Sequence, residues 1–248
     1  FEQTMKVFEA SSRAVPVFND KHLSTSWPEC LEMVEDSRRM GFPFMAGSSL
    51  PVTWRIPSID FPLHTPLRES VCVCYGGVDS YDFHGLETAQ CMSERRAGGE
   101  AGIKAVQAFR GEQLWPILEG RELTRKLIFA ALARSHTLRG RSGYSYAMPD
   151  MAWLREASNP VGYFVEHHDG LTTTMLMLNG LVTDFTYAGA LVDSDDIISC
   201  QMHLPMPPRY STLPNFFSPL VNHIEEMILT GRTPYPVERT LLTSGMTL

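Results

Sequence analysis

The chain has 248 residues, 44% hydrophobic and 20% charged, the make-up of a globular protein that buries a substantial core. A formal net charge of −7 without any run of Lys or Arg excludes a basic field for a phosphate backbone, and no apolar stretch approaches the roughly 20 residues of a membrane helix. Five cysteines, Cys30, Cys72, Cys74, Cys91 and Cys200, make an odd number among many other core formers; they point away from a disulfide framework and towards a reducing, cytoplasmic setting.

Residues 2–12 read as a helix running directly into Val15-Pro16-Val17-Phe18, a short apolar strand, which is not how a domain normally begins. Ser26-Trp27-Pro28-Glu29 is a capping box: the Ser26 hydroxyl is placed to accept a free backbone N–H while Glu29 reaches back. The helix it opens is expected to turn Cys30, Leu31, Val34 and Ser37 to one side and Glu32, Glu35, Asp36 and Arg39 to the other, with Gly41 as its stop. Residues 42–47 return as a strand, completing a βαβ unit with parallel pairing.

After Pro57 the pattern changes. Residues 70–75 alternate as a strand with Cys72 and Cys74 on one face, where buried structural thiols are favoured over a zinc or redox pair. Residues 83–95 look helical, residues 103–109 form a strand, and residues 122–137 form a helix with Leu123, Leu127, Ala130 and Ala131 on one stripe. Arg139-Gly140-Arg141-Ser142-Gly143 reads as an exposed loop. Four strands follow, over residues 161–168, 171–178, 182–187 and 197–203. Asp169-Gly170 and Asn179-Gly180 between them suit tight hairpin turns, which predicts an antiparallel meander. Phe216, Phe217, Leu220, Val221, Ile224, Met227 and Ile228 recur at helical spacing before Gly231, a helix expected to cover one face of that sheet, and residues 236–246 read as a last helix. The fold class is α+β: a βαβ piece over residues 1–50, then a mixed domain with a large, mostly antiparallel sheet over residues 51–248.

Two places carry chemistry. In Val17-Phe18-Asn19-Asp20-Lys21-His22 a lysine follows directly on a parallel strand, where ligands of open α/β sheets bind; the alternative is a solvated loop lysine. In Gly76-Gly77-Val78-Asp79-Ser80-Tyr81-Asp82-Phe83-His84 a glycine pair leaves a strand and a helix opens with a histidine in its first turn, suited to general acid–base work; the alternative is a structural hydrogen bond. Arg55, Tyr81 and Asp82 are candidate substrate-binding residues, and Asp20 and Lys21 candidate cofactor-binding residues. No metal site is expected: His167 and His168 end a strand and face opposite sides, and Asp193-Ser194-Asp195-Asp196 lacks the glycine and closing glutamate of a calcium loop. Neither Gly-x-Gly-x-x-Gly nor a P-loop occurs.

These segments together resemble the Gfo/Idh/MocA family of oxidoreductases. Val15 to Lys21, the capped helix and Phe42-Pro43-Phe44-Met45-Ala46-Gly47-Ser48-Ser49 are similar to the family's Glu-Lys-Pro strand end and the strand that leads into its substrate domain. Gly76-Gly77 with His84 resembles its Gly-Gly catalytic segment, and Thr233 to Leu242 its C-terminal helix region. The resemblance implies that residues 1–50 are the last part of a Rossmann-type domain that binds NAD or NADP, and that residues 51–248 bind a sugar-like alcohol and form a homo-oligomer through the open sheet. It also implies that Lys21 lies by the nicotinamide and that His84 is the acid/base. Asp20-Lys21-His22 replaces Glu-Lys-Pro, and Ser80 stands where the family has an aspartate four residues before the histidine. On this reading the chain begins after the glycine-rich fingerprint and is inactive alone; the rival readings are a non-catalytic ligand-binding or assembly member, or a cofactor-using lyase or glycosidase.

Overall fold

The structure, a computed structural model, describes residues 1–140, 150–207 and 211–248. It opens with helix α1 (Glu2–Ser11), strand β1 (Val17–Asp20), helix α2 (Trp27–Met40) and strand β2 (Phe44–Gly47). β1 and β2 pair in parallel, Val17 against Phe44 through Asp20 against Gly47, so the βαβ unit forms as its sequence predicts. The capping box does not. Ser26 makes no side-chain cap, and Glu29 instead accepts a hydrogen bond from the Ser24 hydroxyl. Gly41 ends α2 at φ 68 in the left-handed conformation, as expected, but the buried side of α2 is Cys30, Met33, Val34 and Ser37, with Leu31 exposed.

The middle of the chain supplies β3 (Arg55–Ile56), β4 (Leu67–Cys74), α3 (Asp82–Ser93), β5 (Ile103–Arg110), α4 (Leu114–Glu119), α5 (Glu122–Leu132), α6 (Met151–Leu154), β6 (Val161–His167), β7 (Thr172–Met177), β8 (Thr186–Leu191) and β9 (Ile197–Met202). Its seven strands form one sheet in the order β3-β9-β8-β4-β7-β6-β5, antiparallel except for the β4–β7 pair. Val71, Val73, Leu176 and Ala188 face α4 and α5 with Leu114, Trp115, Leu127 and Ile128 in one cluster, while Cys74 and Met175 on the other face press against Gly85 of α3. Helices therefore cover both faces of the central strands, and β5 at the edge stays exposed along most of its length. All five cysteines are free and buried. Of the expected loop 139–143, residues 141–143 lie outside the described residues.

The meander expectation is half right. Asp169-Gly170 turns β6 into β7 with Gly170 at φ 91, but Asn179-Gly180 does not turn β7 into β8, because β4 lies between them. The reason is the Asn179 amide: its Oδ1 accepts from Gly76 N–H at 2.7 Å and its Nδ2 donates to Gly76 C=O at 2.9 Å, clasping the chain after β7 to the end of β4. The third strand accordingly starts later than predicted, at Thr186.

After the sheet come α7 (Ser218–Thr230) and α8 (Glu238–Thr247). The chain divides into two compact units, Trp54–Leu204 and a second formed by Phe1–Thr53 with Pro205–Leu248. The helix expected to cover the large sheet, α7, belongs to the second unit, where its Leu220 and Met227 pack with Met45 of β2. β2 is buried on both faces: Phe44 and Ala46 join Phe8, Cys30, Val34 and Val237, while Met45 joins Leu220, Met227 and Tyr235 of the C-terminal segment. A two-stranded sheet with two apolar faces needs cover on both: α1 and α2, with Val237, cover one and α7 covers the other. Tyr235 and Thr240 both donate hydroxyl hydrogen bonds to Ala46 C=O at 2.9 Å.

A buried ionic cluster ties the β6–β7 turn to the end of α3. Arg96, 2% exposed, bonds Asp169 at 2.6 Å and Glu100 at 2.9 Å, and Glu100 also meets buried His167 at 3.2 Å. Burial by itself would raise the Glu100 carboxyl, but hydrogen bonds from His167, Arg96 and Gln90 outweigh it and hold the group well below the ordinary range. A depressed carboxylate contributes stability above its unfolded pKa of about 4.3 and loses it as pH falls towards the folded value. Urea midpoints should therefore drop steeply below about pH 4, and Arg96→Met, which removes the ion-pair partner of half-buried Glu100, should cost about 1–3 kcal/mol at neutral pH and flatten the acid limb. Asn179→Ala should lower stability by about 1–3 kcal/mol with an unchanged urea m-value, and Asn179→Asp should also destabilise, since it keeps the acceptor for Gly76 N–H and loses the donor to Gly76 C=O.

Candidate functional site

The segment after β4 is built around one close approach. Gly76 adopts φ 115, and a Cβ there would stand 2.2 Å from the Tyr81 side chain, so only glycine lets the Tyr81 ring fold over the strand end. Ser80 closes the turn by donating to Gly77 C=O at 2.9 Å, and Asp79 takes φ 66. α3 then starts at Asp82, which places His84 in its first turn as predicted.

His84 is half-buried in an aromatic nest. The Tyr81 ring lies 5.5 Å away edge-to-face, Phe83 5.9 Å, and Phe185 from the lead-in to β8 6.4 Å; Tyr75 packs on both Tyr81 (5.2 Å) and Phe185 (5.6 Å). His84 and Tyr81 are residues that the sequence singles out, whereas Tyr75 and Phe185 read there as ordinary strand residues and Asn179 as a turn former. Burial pushes the Tyr75 phenol up, and the Tyr81 hydroxyl beside it pushes further.

The other predicted residues divide. Asp82 is 1% exposed: Oδ1 accepts the Phe83 N–H at 2.9 Å and Oδ2 accepts the Tyr163 hydroxyl at 2.8 Å, so its geometry is that of a helix-start anchor. Burial, then Asp82, raises the Tyr163 phenol. Arg55 on β3 bonds Asp60 at 3.3 Å and reaches Cys91 Sγ at 3.7 Å; Cys91 is two helical turns, about 10 Å, along α3 from His84, so the structure does not bring Arg55 to the histidine.

In the other unit, Lys21 follows β1 at the carboxyl end of the parallel pair. Its backbone is left-handed, φ 73, a conformation that costs a non-glycine residue about 1–2 kcal/mol, and its N–H donates to Gly47 C=O at 3.1 Å. The ammonium rests on the Asp20 carboxylate at 2.7 Å, both side chains well exposed. Two grooves, of about 520 and 620 Å³, contain none of the candidate residues. Among the described residues no group of three or more metal-ligating side chains converges, and no helix is long and apolar enough to cross a membrane.

No family model and no curated protein matches the sequence. Solved structures match its fold. A myo-inositol dehydrogenase from Corynebacterium glutamicum ATCC 13032 aligns with 99% of this chain and 73% of its own, at 10% identity and a TM-score of 0.54. GenD2 from gentamicin A biosynthesis, solved in complex with NAD, aligns with 98% of this chain and 70% of its own, at 10% identity and 0.56. A probable dehydrogenase from Thermotoga maritima aligns with 99% and 72%, at 11% identity and 0.55. The chain thus has the fold of these dehydrogenases.

Tyr75, Tyr163 and Tyr187 should resist ionisation, the last because burial raises it against hydrogen bonds from Ser93 and Ser70. A group whose folded pKa is raised contributes stability below its unfolded value, about 10 for a phenol, and loses it as pH climbs towards the folded one. In an alkaline titration part of the phenolate absorbance should appear only together with the loss of far-ultraviolet circular dichroism. Asp82→Ala, which strands the Tyr163 hydroxyl, should lower stability by about 1–3 kcal/mol in urea unfolding.

Proposed function

We propose that the chain serves an NAD(P)-dependent oxidoreductase of the Gfo/Idh/MocA type acting on an alcohol of a sugar or polyol. One observation carries this: a chain with the fold of dehydrogenases, one solved with NAD, sets a strained lysine at the end of a parallel strand and a histidine in the first turn of a helix. Both are the positions its motifs single out. The residues fit the reactive end of a dinucleotide and not its pyrophosphate, since no glycine-rich helix start occurs in the sequence.

In this reading the bound dinucleotide supplies a hydride acceptor for the substrate carbon. In the sheet unit His84 takes the hydroxyl proton; in the other unit Lys21, its ammonium held by Asp20, is assigned to the reactive end of the dinucleotide. Tyr81 presents a ring towards the substrate, and with Tyr75 and Phe185 keeps water from the imidazole. Asp82 acts through the α3 start. The homo-oligomer contact is assigned to the sheet, whose exposed part is β5. A non-catalytic ligand-binding or assembly role is the second reading. It is favoured by Ser80 in the family's aspartate position and by an Asp82 carboxylate already bonded to Tyr163.

Calorimetry on the 248-residue chain should show NAD and NADP binding weaker than micromolar; micromolar binding would mean that the cradle is elsewhere in these residues. In a polypeptide that supplies the cradle, His84→Ala should depress turnover by about 10²–10⁴ with cofactor affinity largely kept. Lys21→Ala should reduce both turnover and substrate affinity, whereas Lys21→Gly should do the same while raising stability by relieving φ 73. Wild-type turnover in His84→Ala would favour the non-catalytic or another acid–base arrangement.

A further inference from the structure

The two ends of the seven-stranded sheet differ in kind. β3 closes one end with only two residues, Arg55 and Ile56, and Pro57 follows at once. β5 closes the other with eight residues, of which residues 104–108 are all exposed. A long open edge can pair its backbone with another chain, and sheets guard against this with charge, proline or a bulge. In β5 such guards stand at the ends: Lys104 beside the register shift between Ile103 and Ala105, and Arg110. Its middle, Ala105-Val106-Gln107-Ala108, carries neither charge nor proline, and Val106 is 37% exposed.

The pairing with β6 decides which backbone groups face outward. Gly111 N–H donates to Pro160 C=O at 2.8 Å, one step beyond the pair of Arg110 with Val161. Hydrogen-bonded pairs alternate along an antiparallel ladder, so Phe109, Gln107 and Ala105 bond inward to β6, while Val106, Ala108 and Arg110 turn their N–H and C=O groups away from the sheet. Helices already cover both faces of the central strands, so a further chain joins this sheet in the plane of β5.

We propose that a second copy of this chain pairs with β5 in antiparallel fashion about a two-fold axis at Val106, making one sheet continuous through both copies. This rests on the homo-oligomer reading above and gives that contact its strands and its register. Outward groups must meet outward groups, so the axis passes through a residue. Through Gln107 it sets Lys104 against the partner's Arg110, like charges directly opposite. Through residues further from the middle it overlaps five residues of the strand or fewer. Through Val106 it overlaps residues 103–109: Val106 meets the partner's Val106, Ile103 the partner's Phe109 and Lys104 the partner's Ala108. No like charges are then opposed, the apolar side chains fall opposite one another, and Val106 exchanges both backbone hydrogen bonds with its copy.

Sedimentation of the 248-residue chain should give twice the chain mass of 27.9 kDa. Val106→Lys, which sets two ammonium groups opposite each other, should return it to the single mass with an unchanged far-ultraviolet circular dichroism spectrum. All five native cysteines are buried, so in Val106→Cys the new thiol is the exposed one, and mild oxidation with copper phenanthroline should link two chains through it. Gln107→Cys, which is diagonal to its own copy in this register, should stay unlinked. A wild-type monomer at every concentration overturns this proposal and the oligomer reading together. A dimer that survives Val106→Lys, or one linked through Gln107→Cys, overturns the Val106 axis and leaves an oligomer held by another contact. None of these outcomes depends on NAD binding.

Discussion

The sheet unit depends on a single strand that must be apolar on both faces. Val71, Cys72, Val73 and Cys74 of β4 are all fully buried, with α4 and α5 on one side and α3 on the other. Burying such a strand also requires two flanking strands for its backbone, and they come from opposite directions: β7 pairs in parallel, β8 antiparallel. That double demand inserts β4 into what local turn chemistry would make a hairpin. It also explains why the chain after β7 is clasped to Gly76 by Asn179, since the sheet can admit β4 only if its neighbour's exit is held at the strand's end.

The surroundings of His84 then follow from where β4 stops. Its last residue is succeeded by Tyr75 and Gly76, and the missing Cβ of Gly76 is the space into which the Tyr81 ring folds. Tyr81 immediately precedes α3, so the same contact sets the start of the helix and thereby the ring position of His84. Asp82 completes the start by bonding both its own helix and Tyr163. Elsewhere in the sheet unit, Asp184 accepts from the Gln201 amide, whose oxygen lies 2.7 Å from His136 Nδ1.

In the other unit a smaller version of the same constraint holds. β2 is only four residues long yet buried throughout, so the two-stranded sheet would expose an apolar face unless the chain returned to it. Leu220, Met227 and Tyr235 meet Met45 on one face, and Val237 joins Phe44 and Ala46 on the other. The lysine at the end of β1 inherits its left-handed backbone from the bridge to Gly47 that closes this pair.

What the sequence determined by itself was whatever is local: the helices α2 and α5 from their stripes, the Gly41 and Gly231 stops, the βαβ unit, the Asp169-Gly170 turn, and His84 one turn into a helix. Each of these is decided within a few residues by backbone sterics and side-chain period. What only the tertiary structure decided was which distant surfaces share a face. Leu31 and Met33 of α2 differ by about half a turn, and nothing but the neighbouring helices chooses between them. Asn179 was legible as a turn residue, yet its amide had a better use in two hydrogen bonds to a backbone more than a hundred residues earlier. The C-terminal helices were legible as helices, but the partner of α7 was set by the second apolar face of β2. The hydrogen bonds of Gln201 to Asp184 and His136 join three segments that carry no common motif, because hydrogen bonds across a sheet depend on strand register, and register exists only once the strands have paired.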